Sequence, residues 1–149
     1  MGISEDIKQV NFSSEFSKAV INVIYTNGWL SQHQVEIFKP YGLTIPQFNV
    51  LRILRGQHPK PSTINLLIER MLDKSSNASR IVDKLEEKKL VERKQCLGDR
   101  RAVDVFISES GLVLLNEIHI HFNKWESSIK KLDEEESSQL NFLLDKLRS

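Results

Sequence analysis

Arg100 and Arg101 stand side by side in the stretch CLGDRRAVDVFIS (Cys96 to Ser108), with Gly98 and Asp99 immediately before them. Gly98 tolerates positive φ, and Val103, Val105 and Ile107 then alternate along the chain. The stretch therefore predicts a hairpin tip that leads into a strand, with the two arginines on the tip. Guanidinium groups on a protruding tip are suited to phosphates and to the negative potential of a nucleic-acid groove. Between Lys74 and Arg101 nine basic residues stand against five acidic ones, a net charge of +4, whereas Asp133 to Ser149 is net −3. The overall charge of +1 hides this polarity. A solvated face is the competing account of such a run.

Other chemistries find less support in the residues. Cys96 is the only cysteine, so an internal disulfide framework and a cysteine-based zinc site are both excluded. Its thiol reads either as a small apolar strand residue or as a redox switch whose pKa is lowered by Lys94 and the wing arginines. His119 and His121 are two apart on an expected helix and point to opposite sides, so they cannot share a metal unaided. No GxGxxG, GxxxxGK, HExxH or GxSxG motif is present. The expectation is a protein without catalytic residues, cofactor or metal. The first residues, MGISEDIKQV, lack a basic n-region and a long apolar run, and Asp6 occupies the place where a myristoylation signal prefers Ser or Thr. A soluble, cytoplasmic protein with no membrane partner is expected.

With 149 residues and 40% hydrophobic content, the chain can bury its own core. Residues 12–38 carry apolar side chains at helical intervals, as one long helix or as two separated by a kink at TNGW (Thr26 to Trp29). PYGL ends that element. Thr44 and Gln47 then form a capping box around Pro46 for a helix running to about Arg55. After the turn GQHPKPS, Ser62 is the expected N-cap of a third helix, and Asp73 of a fourth, KSSNASRIVDKLEEKK. There the period changes from helical to two, and LVERKQ and AVDVFIS flank the Gly-Asp-Arg-Arg tip as a two-stranded antiparallel hairpin.

Two helices joined by a turn, with a hairpin directly after the second, make a winged helix-turn-helix, in which the second helix normally enters the major groove. Opposite its apolar side (Ala78, Ile81, Val82, Leu85), the expected recognition helix carries Ser75, Ser76, Asn77, Ser79, Arg80 and Lys84. These are groups that reach base edges or phosphates, and Asp83 is the exception. Arg93 on the first wing strand completes the candidate contacts together with Arg100 and Arg101.

The segment from Leu43 to Gly111 resembles the MarR family of bacterial transcriptional regulators. The matching residues are GLTIPQFNVLRIL, SSNASRIVDKLEEKKLVER and DRRAVDVFISESG, with the Asp-x-Arg signature on Asp99 and Arg101. The resemblance implies a mainly α (α+β) fold with terminal dimerisation helices. It also implies double-stranded DNA as partner, Asp99 as a wing-stabilising acid, and a wing arginine, Arg101, in the minor groove with Arg100 on phosphate. The narrow groove of A·T-rich DNA has the potential to hold such an arginine. Two departures from the family pattern are Lys89, where Gly is frequent after the recognition helix, and Ser108, where Thr is commoner at the next helix start.

The ends complete the expected organisation: an N-terminal helical segment (1–42), a DNA-binding lobe (43–110) and C-terminal helices (111–149). Leu112, Leu115, Ile118, Phe122, Trp125, Ile129 and Leu132 recur at three or four residues, and Asp133 with Glu136 caps a last helix bearing Leu140, Leu143, Leu144 and Leu147. An isolated helix of that length needs a partner for its apolar stripe. A homodimer supplies it; packing within one chain is the alternative. From the resemblance, a small apolar or phenolic ligand is expected to release DNA, with Trp29, His33, Phe38 and Trp125 as candidate lining residues, although aromatic residues at such spacing equally form core. The expected function is a sequence-specific, dimeric regulator of the repressor kind. The runner-up is a winged-helix module that binds another protein.

Overall fold

The computed structural model describes residues 2–99 and 101–149. In chain order it comprises α1 (Ile3–Asp6), α2 (Glu15–Phe38), a 3₁₀ turn (Lys39–Tyr41), α3 (Ile45–Gln57), β1 (Ser62–Thr63), α4 (Ile64–Arg70), α5 (Ala78–Glu87), β2 (Val91–Gln95), β3 (Val103–Ile107), α6 (Glu109–Ile129) and α7 (Glu134–Arg148). The fold class is as expected, mostly helical with a small antiparallel sheet, and α2 runs through TNGW as one helix. The hairpin gains a short third strand: β1 pairs with β3 through Ser62–Val105 and Thr63–Asp104, giving the order β1-β3-β2. Among the described residues no helix is long and apolar enough to cross a membrane.

Local sequence explains most helix starts. Thr44 Oγ1 accepts from the Gln47 amide while Gln47 Oε1 accepts from the Thr44 amide, and Pro46 lies in the first turn of α3. Asp133 and Glu136 make the same reciprocal pair at α7. Two caps differ from expectation. Thr63, not Ser62, caps α4, because Ser62 is buried in β1 against Val105. Asn77, not Asp73, caps α5. Asp73 instead organises the turn before it, accepting from the Ser75 amide at 2.9 Å and the Ser75 hydroxyl at 2.6 Å. These bonds, the hydroxyl's first, hold the Asp73 carboxyl below its ordinary pKa. Helix α5 is therefore shorter at its start than the sequence suggests.

The core of the lobe is built by Val50, Leu51 and Leu54 of α3, Leu67 of α4, Ala78, Val82 and Leu85 of α5, and Val105 and Ile107 of β3. Each large side chain so buried contributes about 1.5–3 kcal/mol relative to exposure. Leu115 and Ile118 of α6, together with Phe38 of α2, join that core from the terminal helices.

One junction holds α5, the sheet and α6 together. Beyond α5, Lys89 adopts φ +59°, the Leu90 amide donates to Leu85 O at 3.0 Å and the Lys89 amide to Glu86 O at 2.8 Å. This pair of bonds is a Schellman cap, which glycine fills without strain. The substitution Lys89→Gly is expected to stabilise the protein by about 1 kcal/mol, read as a shifted urea midpoint at unchanged slope. The Ser108 hydroxyl donates to Lys89 O at 2.7 Å and accepts from the Gly111 amide, capping α6, while the Ser108 amide donates to Leu90 O. Because α6 begins at Glu109, the boundary expected after residue 110 falls inside its first turn.

Candidate nucleic-acid interface

Helix α5 turns its apolar side inward and leaves Ser79, Arg80, Asp83 and Lys84 exposed. Its start is fixed by Asn77 Oδ1, which accepts from the Arg80 amide at 3.1 Å. Ser75 and Ser76 lie in the preceding turn rather than on the helix, Ser75 exposed and Ser76 half-buried. Two residues that the sequence did not single out hold that turn. Lys74 Nζ donates to Ile68 O at 3.1 Å at the end of α4, and Asn49 Oδ1 of α3 accepts from the Leu72 amide at 3.0 Å. The helical pattern around Asn49 carries no signal for a partner 23 residues away.

Lys84 pairs with Glu87 at 3.0 Å, both ends exposed. Such a pair is worth about 0–1 kcal/mol and leaves the ammonium free to exchange one anion for another. Arg93 is placed differently from the outward contact the sequence suggested. Its guanidinium turns back onto α5, where it pairs with Asp83 and Glu86 and donates to the Ser79 carbonyl oxygen. Asp83, the acid that looked out of place, is thereby accounted for.

At the wing tip Gly98 has φ +103°. Asp99 Oδ1 accepts from the Arg101 amide at 2.9 Å, and its carbonyl accepts from the Ala102 amide at 3.2 Å. The Arg101 side chain is exposed. Arg100 lies outside the described residues. The Cys96 amide donates to Ala102 O, and of the two readings of its thiol the lowered pKa of a redox switch is not met: its pKa is raised, chiefly by the Asp104 carboxylate across the hairpin and then by desolvation. The shift is set by the acid that strand pairing brings close, not by the basic neighbours in sequence.

The four candidate ligand-lining residues fall along one row of rings. Trp29 and His33 have centroids 4.6 Å apart, His33 and Trp125 6.4 Å, and Trp125 and Phe122 5.2 Å. The row continues from Phe122 to Phe38 and Phe48, which stack at 4.1 Å. Phe38 is completely buried, so it belongs to the core and has no surface for a ligand. Trp29 is exposed, His33 and Trp125 are half-buried, and Trp125 Nε1 is buried without an acceptor among the described residues. Arg52, which sequence reasoning passed over, lies over both Phe48 and Phe122 at 5.8 and 5.9 Å. His119 Nε2 is engaged by Asn123 at 2.9 Å, and His121 tilts against Tyr41.

The terminal helices leave a large apolar surface open. Phe16, Ile24, Trp29 and Val35 of α2, Val113 and Ile120 of α6, and Leu140, Phe142, Leu143 and Leu147 of α7 are all exposed. Helix α7 buries none of its residues in the single chain.

Residues 41–102, the lobe that carries α3 to the wing, match the model of the MarR family. Among characterised relatives, the HTH-type transcriptional regulator MhqR of Bacillus subtilis is 30% identical over 119 residues, covering 79% of this chain and 81% of its own. A MarR transcription factor from Planctomyces limnophilus superposes with a TM-score of 0.70 at 26% identity, covering 91% of this chain and 98% of that one. The S. aureus MepR–DNA complex superposes with a TM-score of 0.73 at 22% identity, covering 92% and 96% of the two chains, a likeness of fold.

Proposed function

The chain belongs to the MarR family of DNA-binding transcriptional regulators, and on that premise we propose that it acts as a homodimeric repressor reading a pseudo-palindromic duplex. In this reading α5 enters the major groove with Ser79 and Arg80 toward base edges. Asn77, Ser75, Ser76 and Lys84 lie toward the backbone, and Arg101 enters the adjacent minor groove with Arg100 on phosphate. One observation carries it. The outer face of α5 and the wing tip both present exposed polar and basic groups, on a lobe whose inner faces are closed by a shared core. Asp99 supports the reading by holding the Arg101 backbone at the tip.

The exposed apolar faces of α2, α6 and α7 support a dimer formed by the terminal helices. Two recognition helices held about 34 Å apart then match successive major grooves. Trp29, His33 and Trp125 mark where a small apolar or phenolic effector would act, beside the joint between α2 and α6 and the lobe.

The contacts differ in kind, and two substitutions separate them. Arg101→Ala is expected to weaken binding about tenfold on a duplex with A·T-rich flanks under the wing, and less where those flanks are G·C-rich. Lys84→Ala is expected to weaken all duplexes about equally and to lower the salt slope by about one. Fluorescence anisotropy over a range of salt concentrations reads both. Wild-type affinity in the two variants would defeat the proposed docking and favour a winged helix that binds protein.

A further inference from the structure

Arg93 lies on β2 opposite Val105, yet its side chain leaves the sheet and crosses to the recognition helix. There it meets three acceptors: the Ser79 carbonyl oxygen at 3.2 Å from Nη2, the Asp83 carboxylate, and Glu86 at 3.6 Å from Nη1. Residues 79, 83 and 86 form one row along α5, spaced by four and three positions. A planar fork can meet acceptors on successive turns of such a row, which a single ammonium cannot. The side chain is 29% exposed, well covered for an arginine. Near the opposite end of the same hairpin stands Arg101.

We propose that Arg93 is a positioning residue that fixes the angle between the wing and the recognition helix, so that Arg101 and the outer face of α5 meet one duplex in register. Its charge is consumed by two carboxylates on α5, and it makes no phosphate contact of its own. The clamp also neutralises Asp83 and Glu86, which would otherwise repel the DNA backbone. The proposal rests on the reading that α5 and the wing engage the same duplex.

The test uses the full chain and a duplex selected by the wild-type protein, with affinity measured across salt concentrations for Arg93→Lys, Arg93→Gln, Arg101→Ala and the Arg93→Gln/Arg101→Ala pair. A phosphate contact would survive in Arg93→Lys, because lysine keeps the point charge. A clamp would not, so Arg93→Lys is expected to bind about fivefold more weakly at an unchanged salt slope. In the Arg93→Gln background, Arg101→Ala is expected to cost at most about twofold instead of about tenfold, because a misplaced wing has no groove contact left to lose. Additive losses, or wild-type affinity in Arg93→Lys with a salt slope lowered by about one in Arg93→Gln, would overturn the proposal. Should Arg93→Gln fail to fold, as thermal melting would reveal, the charge-conserving Arg93→Lys decides alone. A wild-type chain that selects no sequence would defeat the DNA reading itself, whereas failure confined to the Arg93 variants leaves that reading standing.

Discussion

Alanine at position 111 is expected to lower the midpoint of thermal unfolding by about 10 °C at fixed protein concentration, a loss of about 3 kcal/mol. A Cβ there would stand 2.4 Å from the Leu90 carbonyl oxygen and 2.8 Å from Ile107 Cγ1. The isoleucine can rotate away, but the carbonyl cannot. It is backbone, and it accepts from the Ser108 amide. Relief would require α6 to retreat from the start of β2, disturbing the Ser108 cap and the Schellman turn that ends the recognition helix. The glycine's conformational freedom is not the reason for the cost, since residue 111 lies inside α6; the reason is the close approach of two backbones. Differential scanning calorimetry checks it, and an unchanged midpoint would mean that the junction is looser than its geometry implies.

Glutamates at positions 143 and 147 together are expected to split the dimer and to weaken binding to the selected duplex by at least about 100-fold, through loss of the second half-site contact. Leu143 and Leu147 are one turn apart on α7, both exposed in the single chain, and the charged first turn of that helix, Glu134 to Glu136, leaves its apolar stripe as the feature that needs covering. Introducing carboxylates into a covered apolar seam costs their desolvation, whereas on a free surface it costs almost nothing. Analytical ultracentrifugation and anisotropy read the two effects separately. A double variant that still sediments as a dimer, or a monomer with undiminished affinity, would contradict the proposed assembly.

What could be read in advance was set by neighbours in sequence, and what escaped was set by neighbours across the fold. The capping boxes at Thr44/Gln47 and Asp133/Glu136, and the Ser108 cap, involve partners three residues apart, so residue type and spacing sufficed. Lys89 was marked only by the resemblance, which has Gly at its place, and the left-handed backbone there accounts for that preference. Ser62 was misread as a cap because its pairing with Val105 lies more than forty residues away. Asp73 and Asn77 are both good caps four residues apart, and the sequence offered no way to see that the first is spent on the Ser75 turn.

The candidate site shows the same division. The polar outer face of α5 and the arginine on the wing follow from periodicity, and the structure leaves Ser79, Arg80 and Arg101 exposed. The partners of Arg93 depend on how the hairpin leans on the helix, a matter of tertiary packing. The redox alternative for Cys96 rested on the lysine and arginines beside it in the chain, but the strand pairing brings Asp104 to bear on it. Phe38 shared a helical stripe with Trp29 and His33, and only its stacking on Phe48 separates it from them as core.

The most direct measurement is selection of bound duplexes from a random pool by the full chain, followed by a salt titration on the best site. The account predicts an inverted repeat with half-site centres about one helical turn apart, A·T-rich positions where the wings fall, and an affinity that drops steeply with salt. No enriched sequence, with a weak and shallow salt response, would contradict it.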